Sequence, residues 1–295
     1  MASPSRQEES VEPSEEGRFP FFSESAERHD PELSAELPIL PMRDVALFPG
    51  VIGPLAVGRE ASIQVVEHAL GEKKLVGLVA QRNPAKEHPQ PADLYSIGTV
   101  VQLLQTQRHP DGSLRVLAQG ISRIRVTAYV QEEPFFRAAI QPLQEVVEET
   151  QEVETLRAYL VQQFGRLVHY SPLLPGELLE AITNLPSPGL VTDLIAGHLN
   201  ITLDERQELL ELLNVKERMA KLSFILTREL EVIEMGQKIQ SEVKAEMAKG
   251  QKEFILRQQM KAIQRELGED GESAVIGELR TRIADAHMPP DIEKV

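Results

Sequence analysis

The sequence of 295 residues contains no cysteine and no tryptophan, and only 4% of it is aromatic. Without cysteine the chain can form neither disulfides nor thiolate metal sites, which fits a reducing compartment, so we expect a cytoplasmic location. No apolar run approaches the roughly 18 residues that a membrane span requires. We therefore expect no membrane partner.

Signatures of catalysis and of cofactor binding are also lacking. No glycine is followed by lysine, so there is no Walker A phosphate loop, and no G-x-G occurs. Ser241 and Lys244 match the S-x-x-K spacing, but their charged surroundings and the lack of a companion motif are typical of a solvated helix face. The seven histidines include no H-x-x-x-H pair. We expect no catalytic, cofactor-binding or metal-binding residue in this chain.

Charge is abundant but unevenly distributed. The formal net charge is −15, and residues 1–36 hold ten acidic against three basic side chains. Residues 214–268 reverse the sign, with eleven basic against eight acidic side chains. An acidic chain lacks the concentrated basic face that phosphate binding needs, which makes nucleic acid an unlikely partner. The composition of residues 1–36 predicts a disordered acidic tail, because too little apolar surface is available to offset its ordering entropy.

Residues 37–145 have the texture of a small β domain. One amphipathic helix is predicted at Arg59–Leu70, ending at Gly71, and Pro110-Asp111-Gly112 predicts a tight hairpin turn. Short strands with one inserted helix favour a twisted, partly closed antiparallel barrel in an α+β protein. The predicted strands are Leu37–Met42, Val45–Phe48, Pro54–Val57, Leu75–Gln81, Thr99–Gln105, Leu114–Gln119, Ile121–Val130 and Phe135–Pro142.

Residues 146–213 change to helical periodicity and predict a small bundle. Ser187-Pro188 combines an N-cap with a first-turn proline and opens a helix to about Leu199. Thr202 and Glu205 form a capping box that opens another helix through Leu213. A third helix is predicted from apolar positions on one face: Val153, Leu156, Leu160, Phe164 and Leu167.

Residues 214–268 predict one long helix, because no proline interrupts them and Asn214 can cap their start. Gly236 and Gly250 are the expected bending points, since each mid-helix glycine costs roughly 0.5–1 kcal/mol relative to alanine. The apolar positions thin out between these glycines, which indicates a solvated stretch or loose pairing with a neighbouring copy. Residues 269–295 then lead out of the helix.

Two places could bind other proteins through apolar side chains. The loop 48–54 holds two prolines and two glycines, and it could display Val51 and Ile52 to solvent. The alternative is that both side chains cap the barrel core, as apolar residues near the mouth of a small barrel usually do. Met235 and Met247 of the long helix are the other candidates, because methionine is flexible and polarizable.

Several ordered blocks resemble the N-terminal region of Lon-type ATP-dependent proteases. Further blocks lie at 190–198 and 207–213, and Phe254–Gly268 resembles the helix that leads into the ATPase module. The blocks in the β region are Leu37-Pro38-x-x-Pro41-x-Arg43-Asp44-Val45-x-x-Phe48-Pro49-Gly50, Pro54-Leu55-x-Val57-Gly58-Arg59, Leu78-Val79-Ala80-Gln81-Arg82, Asp93-Leu94-Tyr95-x-Ile97-Gly98-Thr99-Val100 and Asp111-Gly112-Ser113-Leu114-Arg115-Val116-Leu117.

The resemblance implies a PUA-like pseudobarrel that recruits unfolded or misfolded proteins. It also implies a homohexameric protease whose AAA+ module, with ATP and Mg²⁺, and whose Ser–Lys peptidase would lie downstream. Residues 269–295 would then be the lead-in to the AAA+ module. On this reading the chain recognises substrates and organises the hexamer. The alternative is a free-standing adaptor, with a PUA-like binding domain joined to a dimerising helix.

Overall fold

A computed structural model describes residues 33–171, 174–266 and 269–285. The predicted acidic tail lies almost entirely outside these residues, so its disorder stays a prediction. The strands are β1 (Glu36–Met42), β2 (Ile52–Val57), β3 (Leu75–Ala80), β4 (Ile97–Arg108), β5 (Leu114–Gln131) and β6 (Arg137–Pro142). The helices are α1 (Glu60–Gly71), α2 (Gln151–Tyr170), α3 (Gly176–Asn184), α4 (Pro188–His198), α5 (Leu203–Glu211), α6 (Val215–Glu266) and α7 (Glu269–Asp285).

The six strands form one sheet that closes on itself, in agreement with the predicted barrel in an α+β fold. Their order is β2-β5-β4-β3-β1-β6, and β6 also pairs with β5. The difference from the prediction is that β1 and β3 run parallel, with Ile39 opposite Gly77. A parallel pair needs a long crossover connection, and residues 43–74 with α1 supply it. The barrel core holds Leu37, Ile39, Leu75, Val79, Leu94, Val100, Ile124, Ala138 and Ile140.

Strand β5 pairs with three other strands of the barrel, β2, β4 and β6. The sequence predicted two strands, Leu114–Gln119 and Ile121–Val130, but they form one that pairs with β2 near its start and with β6 near its end. Gly120, at the junction, exchanges backbone hydrogen bonds with Gly50 and Val51 at 2.9 Å each. A Cβ on Gly120 would lie 2.1 Å from the carbonyl oxygen of Phe48. The predicted strand Val45–Phe48 is wrong, because these residues form no strand, and the turn that follows them packs its backbone against Gly120.

The predicted caps start the helices of the bundle. The Thr202 hydroxyl accepts from the Glu205 amide at 3.3 Å, and the Glu205 carboxylate accepts from the Thr202 amide at 3.0 Å. The Ser187 hydroxyl accepts from the Leu190 amide at 3.3 Å, and Asn214 caps α6 in the same way. These contacts confirm the three predicted helix starts. Helix α3 was not predicted, because Pro175 at its N-cap position provides no capping side chain.

Three buried charged side chains and the half-buried Glu145 join the barrel to the helices. Asp193 of α4 accepts hydrogen bonds from both terminal nitrogens of Arg123 on β5, at 2.6 and 2.8 Å. Glu145 accepts from Arg123 at 2.8 Å and from Arg218 of α6 at 2.6 Å. Burial alone would lower the pKa of Arg123, but the charge and hydrogen bonds of Asp193 together with the charge of Glu145 raise the pKa above its usual value. We call these four residues the ion cluster.

The chain divides into two compact units, one ending at Glu231 and the other beginning at Val232. In the first unit α6 buries Met219, Leu222, Leu226 and Leu230 against the rest of that unit. The division into a β domain (37–145), a bundle (146–213) and a long helix (214–268) stays a prediction, since the ion cluster takes residues from all three.

Candidate functional site

A cavity of about 440 Å³ lies in the first unit, between α1 and the segment that connects β5 to β6. Its apolar lining comes from β1, α1 and that connecting segment: Ile39, Pro41, Val65, Phe135 and Phe136. Phe135 and Phe136 are half-buried, and Phe136 also packs against the barrel core. We call this cavity the aromatic groove.

Local contacts hold the two phenylalanines of the aromatic groove in place. The Phe135 ring centroid lies 5.2 Å from that of His68 on α1, and the Phe136 ring meets Tyr129 edge-on at 5.5 Å. The backbone is fixed as well, since the Ile39 amide donates to the Phe136 carbonyl at 2.8 Å. A preformed apolar surface of this kind binds without a large ordering cost.

Exposed carboxylates surround the aromatic groove. Glu60 comes from the first turn of α1, Glu87 from the loop after β3, and Glu132 and Glu133 from the segment before the phenylalanines. Arg59 is the one arginine among the lining residues that the structure describes for this groove. The rim therefore favours ligands whose apolar side chains are flanked by positively charged rather than negatively charged residues.

The structure corrects the expected position of Val51. Its side chain is only 5% exposed. A Cβ on Gly197 of α4 would lie 2.6 Å from Val51 Cγ2, so the helix packs directly against it. The expectation that Val51 is displayed to solvent is wrong because α4 covers the loop. Ile52 is half-buried at the start of β2, opposite Gln119.

Met235 and Met247 lie on the part of α6 that belongs to the second unit. Their side chains are 67% and 70% exposed, as a contact role would require. Their exposed apolar neighbours in α6 are Val232, Ile239, Val243 and Phe254. Binding of substrate by the two methionines stays a prediction.

Gly236 and Gly250 lie inside a helix that runs without interruption from Val215 to Glu266. A Cβ at either position would meet nothing within 4 Å, so neither glycine is required for packing. The hinge role that the sequence suggested therefore stays a prediction about motion.

Replacing Gly236 and Gly250 with alanine should raise helix content and stabilise the helix by up to about 1 kcal/mol per site. In a complete protease, the stiffer helix should impair degradation of folded proteins more than that of short peptides. Circular dichroism and paired degradation assays measure the two effects. Gly277→Ala is the matched control, because Gly277 also lies in a helix, α7, with open space around it. An equal loss with both substrate types would contradict the hinge.

Within 33–171, 174–266 and 269–285, no group of His, Asp or Glu side chains is arranged to hold a metal ion. No helix in the same ranges is both long and apolar enough to cross a membrane.

Comparisons with known proteins agree on one family. Residues 36–228 match the family model described as the ATP-dependent protease La (LON) substrate-binding domain. The chain is 46% identical over 259 residues to a Lon protease of Dictyoglomus thermophilum, which covers 88% of this chain and 33% of that protein. It is 39% identical over 261 residues to a Lon protease of Geobacter metallireducens, and this alignment covers 88% of this chain and 32% of that protein. The chain thus spans about a third of the length of these relatives.

A solved structure shares the fold. The N-terminal domain of a Mycobacterium avium complex Lon protease aligns with a TM-score of 0.54 at 18% identity, covering 66% of this chain and 98% of that domain. At this identity the likeness concerns the fold alone. The family model and the relatives carry the assignment, and this chain belongs to the Lon protease family, with the family's N-terminal substrate-binding domain at residues 36–228.

Proposed function

We propose that this chain recruits unfolded or misfolded proteins to an ATP-dependent Lon-type protease in the cytoplasm and helps to organise its homohexamer. The matched domain and the relatives support a substrate-binding role within a longer enzyme. ATP, Mg²⁺ and peptidase chemistry belong, on this proposal, to the remaining two thirds of such an enzyme. The free-standing adaptor is less favoured, because the alignments with the two Lon proteases cover 88% of this chain, more than the substrate-binding domain alone.

The aromatic groove is the observation that carries this proposal. Unfolded proteins differ from folded ones chiefly in exposing apolar side chains along extended backbone, and an open apolar cavity selects for that property. The half-buried rings of Phe135 and Phe136 offer large contact areas at little cost in side-chain entropy. A single groove should bind with affinity in the micromolar range, about −8 kcal/mol. Six copies in a ring would raise the apparent affinity through effective concentration.

Replacing Phe135 with serine should weaken binding of a reduced, carboxymethylated protein roughly five- to thirtyfold, because an aromatic anchor is worth about 1–2 kcal/mol. Fluorescence anisotropy with the 295-residue chain measures the loss. Phe224→Ser is the matched control, since Phe224 is 72% exposed and is not among the residues of the groove. Equal losses in both variants would indicate nonspecific hydrophobic contact and would count against the groove.

A further inference from the structure

The carboxylates around the aromatic groove are available to a ligand. They reach the groove from three sides: Glu60 from the first turn of α1, Glu87 from the loop after β3, and Glu132 with Glu133 from the segment before Phe135. All four side chains are exposed, and none of these carboxylates forms an ion pair or a hydrogen bond with another described residue. The fold itself therefore makes no use of this charge.

The basic residues of the groove do not neutralise its rim. Arg59 donates to the Gln81 side-chain oxygen, and the Gln81 side-chain nitrogen in turn donates to the Lys86 carbonyl at 3.1 Å, so the guanidinium is held at one end of the groove. His88 is the other basic residue of the lining within the described part of the chain. Even with His88 protonated, two positive groups face four carboxylates, and the rim keeps a net negative charge.

The carboxylates lie close enough to the apolar lining to act on one short segment of a ligand. Glu133 is two residues before Phe135 in the chain, so their Cα atoms are at most about 7 Å apart. Successive residues of an extended polypeptide advance by about 3.3 Å each. An apolar side chain seated against Phe135 therefore brings the residues one or two positions away from it beside the rim.

We propose that the aromatic groove binds extended segments of unfolded protein in which one large apolar side chain is flanked by lysine or arginine. This inference rests on the proposed function and names its substrate class. A flanking lysine or arginine can pair with a rim carboxylate while its alkyl stem adds apolar contact. A segment with acidic flanks brings like charges together, and the groove disfavours it.

Charge also distinguishes this occupant from other parts of the same protein. The N-terminal tail contains the apolar run Phe19-Pro20-Phe21-Phe22, but residues 1–36 hold ten acidic against three basic side chains. The tail thus has the same sign of charge as the rim, which opposes its docking there. A second copy of the chain, with its net charge of −15, is repelled as a whole for the same reason.

The test compares two peptides of equal length with one central phenylalanine, flanked on both sides by lysine in one peptide and by glutamate in the other. Fluorescence anisotropy with the 295-residue chain should show about tenfold tighter binding of the lysine peptide in about 0.1 M salt, because several modest ion pairs replace repulsions. In about 1 M salt the preference should fall below about threefold, since exposed charges are then screened. Replacing the phenylalanine of the lysine peptide with serine should remove most of its binding.

A double variant of the rim, Glu132→Gln with Glu133→Gln, should reduce the preference for the lysine peptide to about threefold. Both side chains are exposed and have no partner among the described residues, so folding should not be disturbed. Glu149→Gln with Glu180→Gln is the matched control. It removes the same charge from exposed positions outside the groove and should keep the tenfold preference.

Equal affinity for the lysine and glutamate peptides would overturn the inference. An equal loss of preference in the two double variants would do the same, because the effect would then come from the net charge of the chain. Binding of the lysine peptide only after removal of residues 1–32 would assign the groove to the tail, against this proposal. Self-association of the chain that Phe135→Ser abolishes would assign the groove to a second copy, which also contradicts it.

The same assays separate this inference from the proposed function. If the reduced, carboxymethylated protein binds and Phe135→Ser weakens that binding, while the two peptides bind alike, only the preference for basic flanks fails. If the carboxymethylated protein does not bind at all, the proposed function fails.

Discussion

Asp193→Ala is expected to lower the free energy of unfolding of the first unit by about 3–5 kcal/mol, one of the largest effects available in this chain. Asp193 is 1% exposed, and it neutralises Arg123 through two hydrogen bonds. Its Oδ1 also lies 3.3 Å from Nε of Arg218, whose side chain is fully buried. Without the carboxylate, Glu145 alone must compensate two buried guanidinium groups, and urea denaturation should reveal the cost.

A surface ion pair gives the matched comparison. Glu208→Gln breaks the contact with Lys221, and both of these side chains are substantially exposed. Exposed pairs contribute little, so the change should stay below about 1 kcal/mol. If Asp193→Ala cost no more than Glu208→Gln, the ion cluster would not stabilise the fold.

Val51→Asp is expected to destabilise the first unit by at least about 3 kcal/mol, because it places an ionised group where α4 excludes water. Val51 is 5% exposed and contacts the helix at Gly197. A thermal melt followed by circular dichroism should shift strongly to lower temperature. Binding assays on this variant would then report unfolding rather than substrate contact.

Ile52→Asp serves as the neighbouring control. Ile52 is only half-buried, so a carboxylate there can remain partly hydrated, and the melt should change much less. A Val51→Asp variant that melts like the parent protein yet binds unfolded protein weakly would restore the exposed-loop hypothesis for that residue.

Local signals in the sequence predicted much of the fold. The Thr202 capping box and the turn at Asp111 act over a few residues, so they can be read without tertiary information. The parallel pairing of β1 with β3 could not be read, because it depends on how a 32-residue connection wraps around the barrel. The close approach of Phe48 to Gly120 could not be read either, because the two residues lie far apart in sequence.

The candidate site was harder to predict than the fold. Met235 and Met247 were proposed from the properties of methionine, and both side chains are exposed in the structure, although binding by them stays a prediction. The aromatic groove was not predicted, because Phe135 and Phe136 were assigned to a strand that in fact begins at Arg137, and the opposite wall comes from α1. The available signal for the groove was the pair of phenylalanines that stands just before the alternating residues of β6.

The ion cluster also determines how late in synthesis the first unit can be completed. The last barrel strand is available for folding once Pro142 has emerged from the ribosome. At that point Arg123 still lacks its partner Asp193, and Glu145 still lacks its partner Arg218. Domains fold as they emerge, and charges lacking partners oppose burial. The barrel of a nascent chain should therefore remain loose and accessible to chaperones until the beginning of α6 has left the exit tunnel.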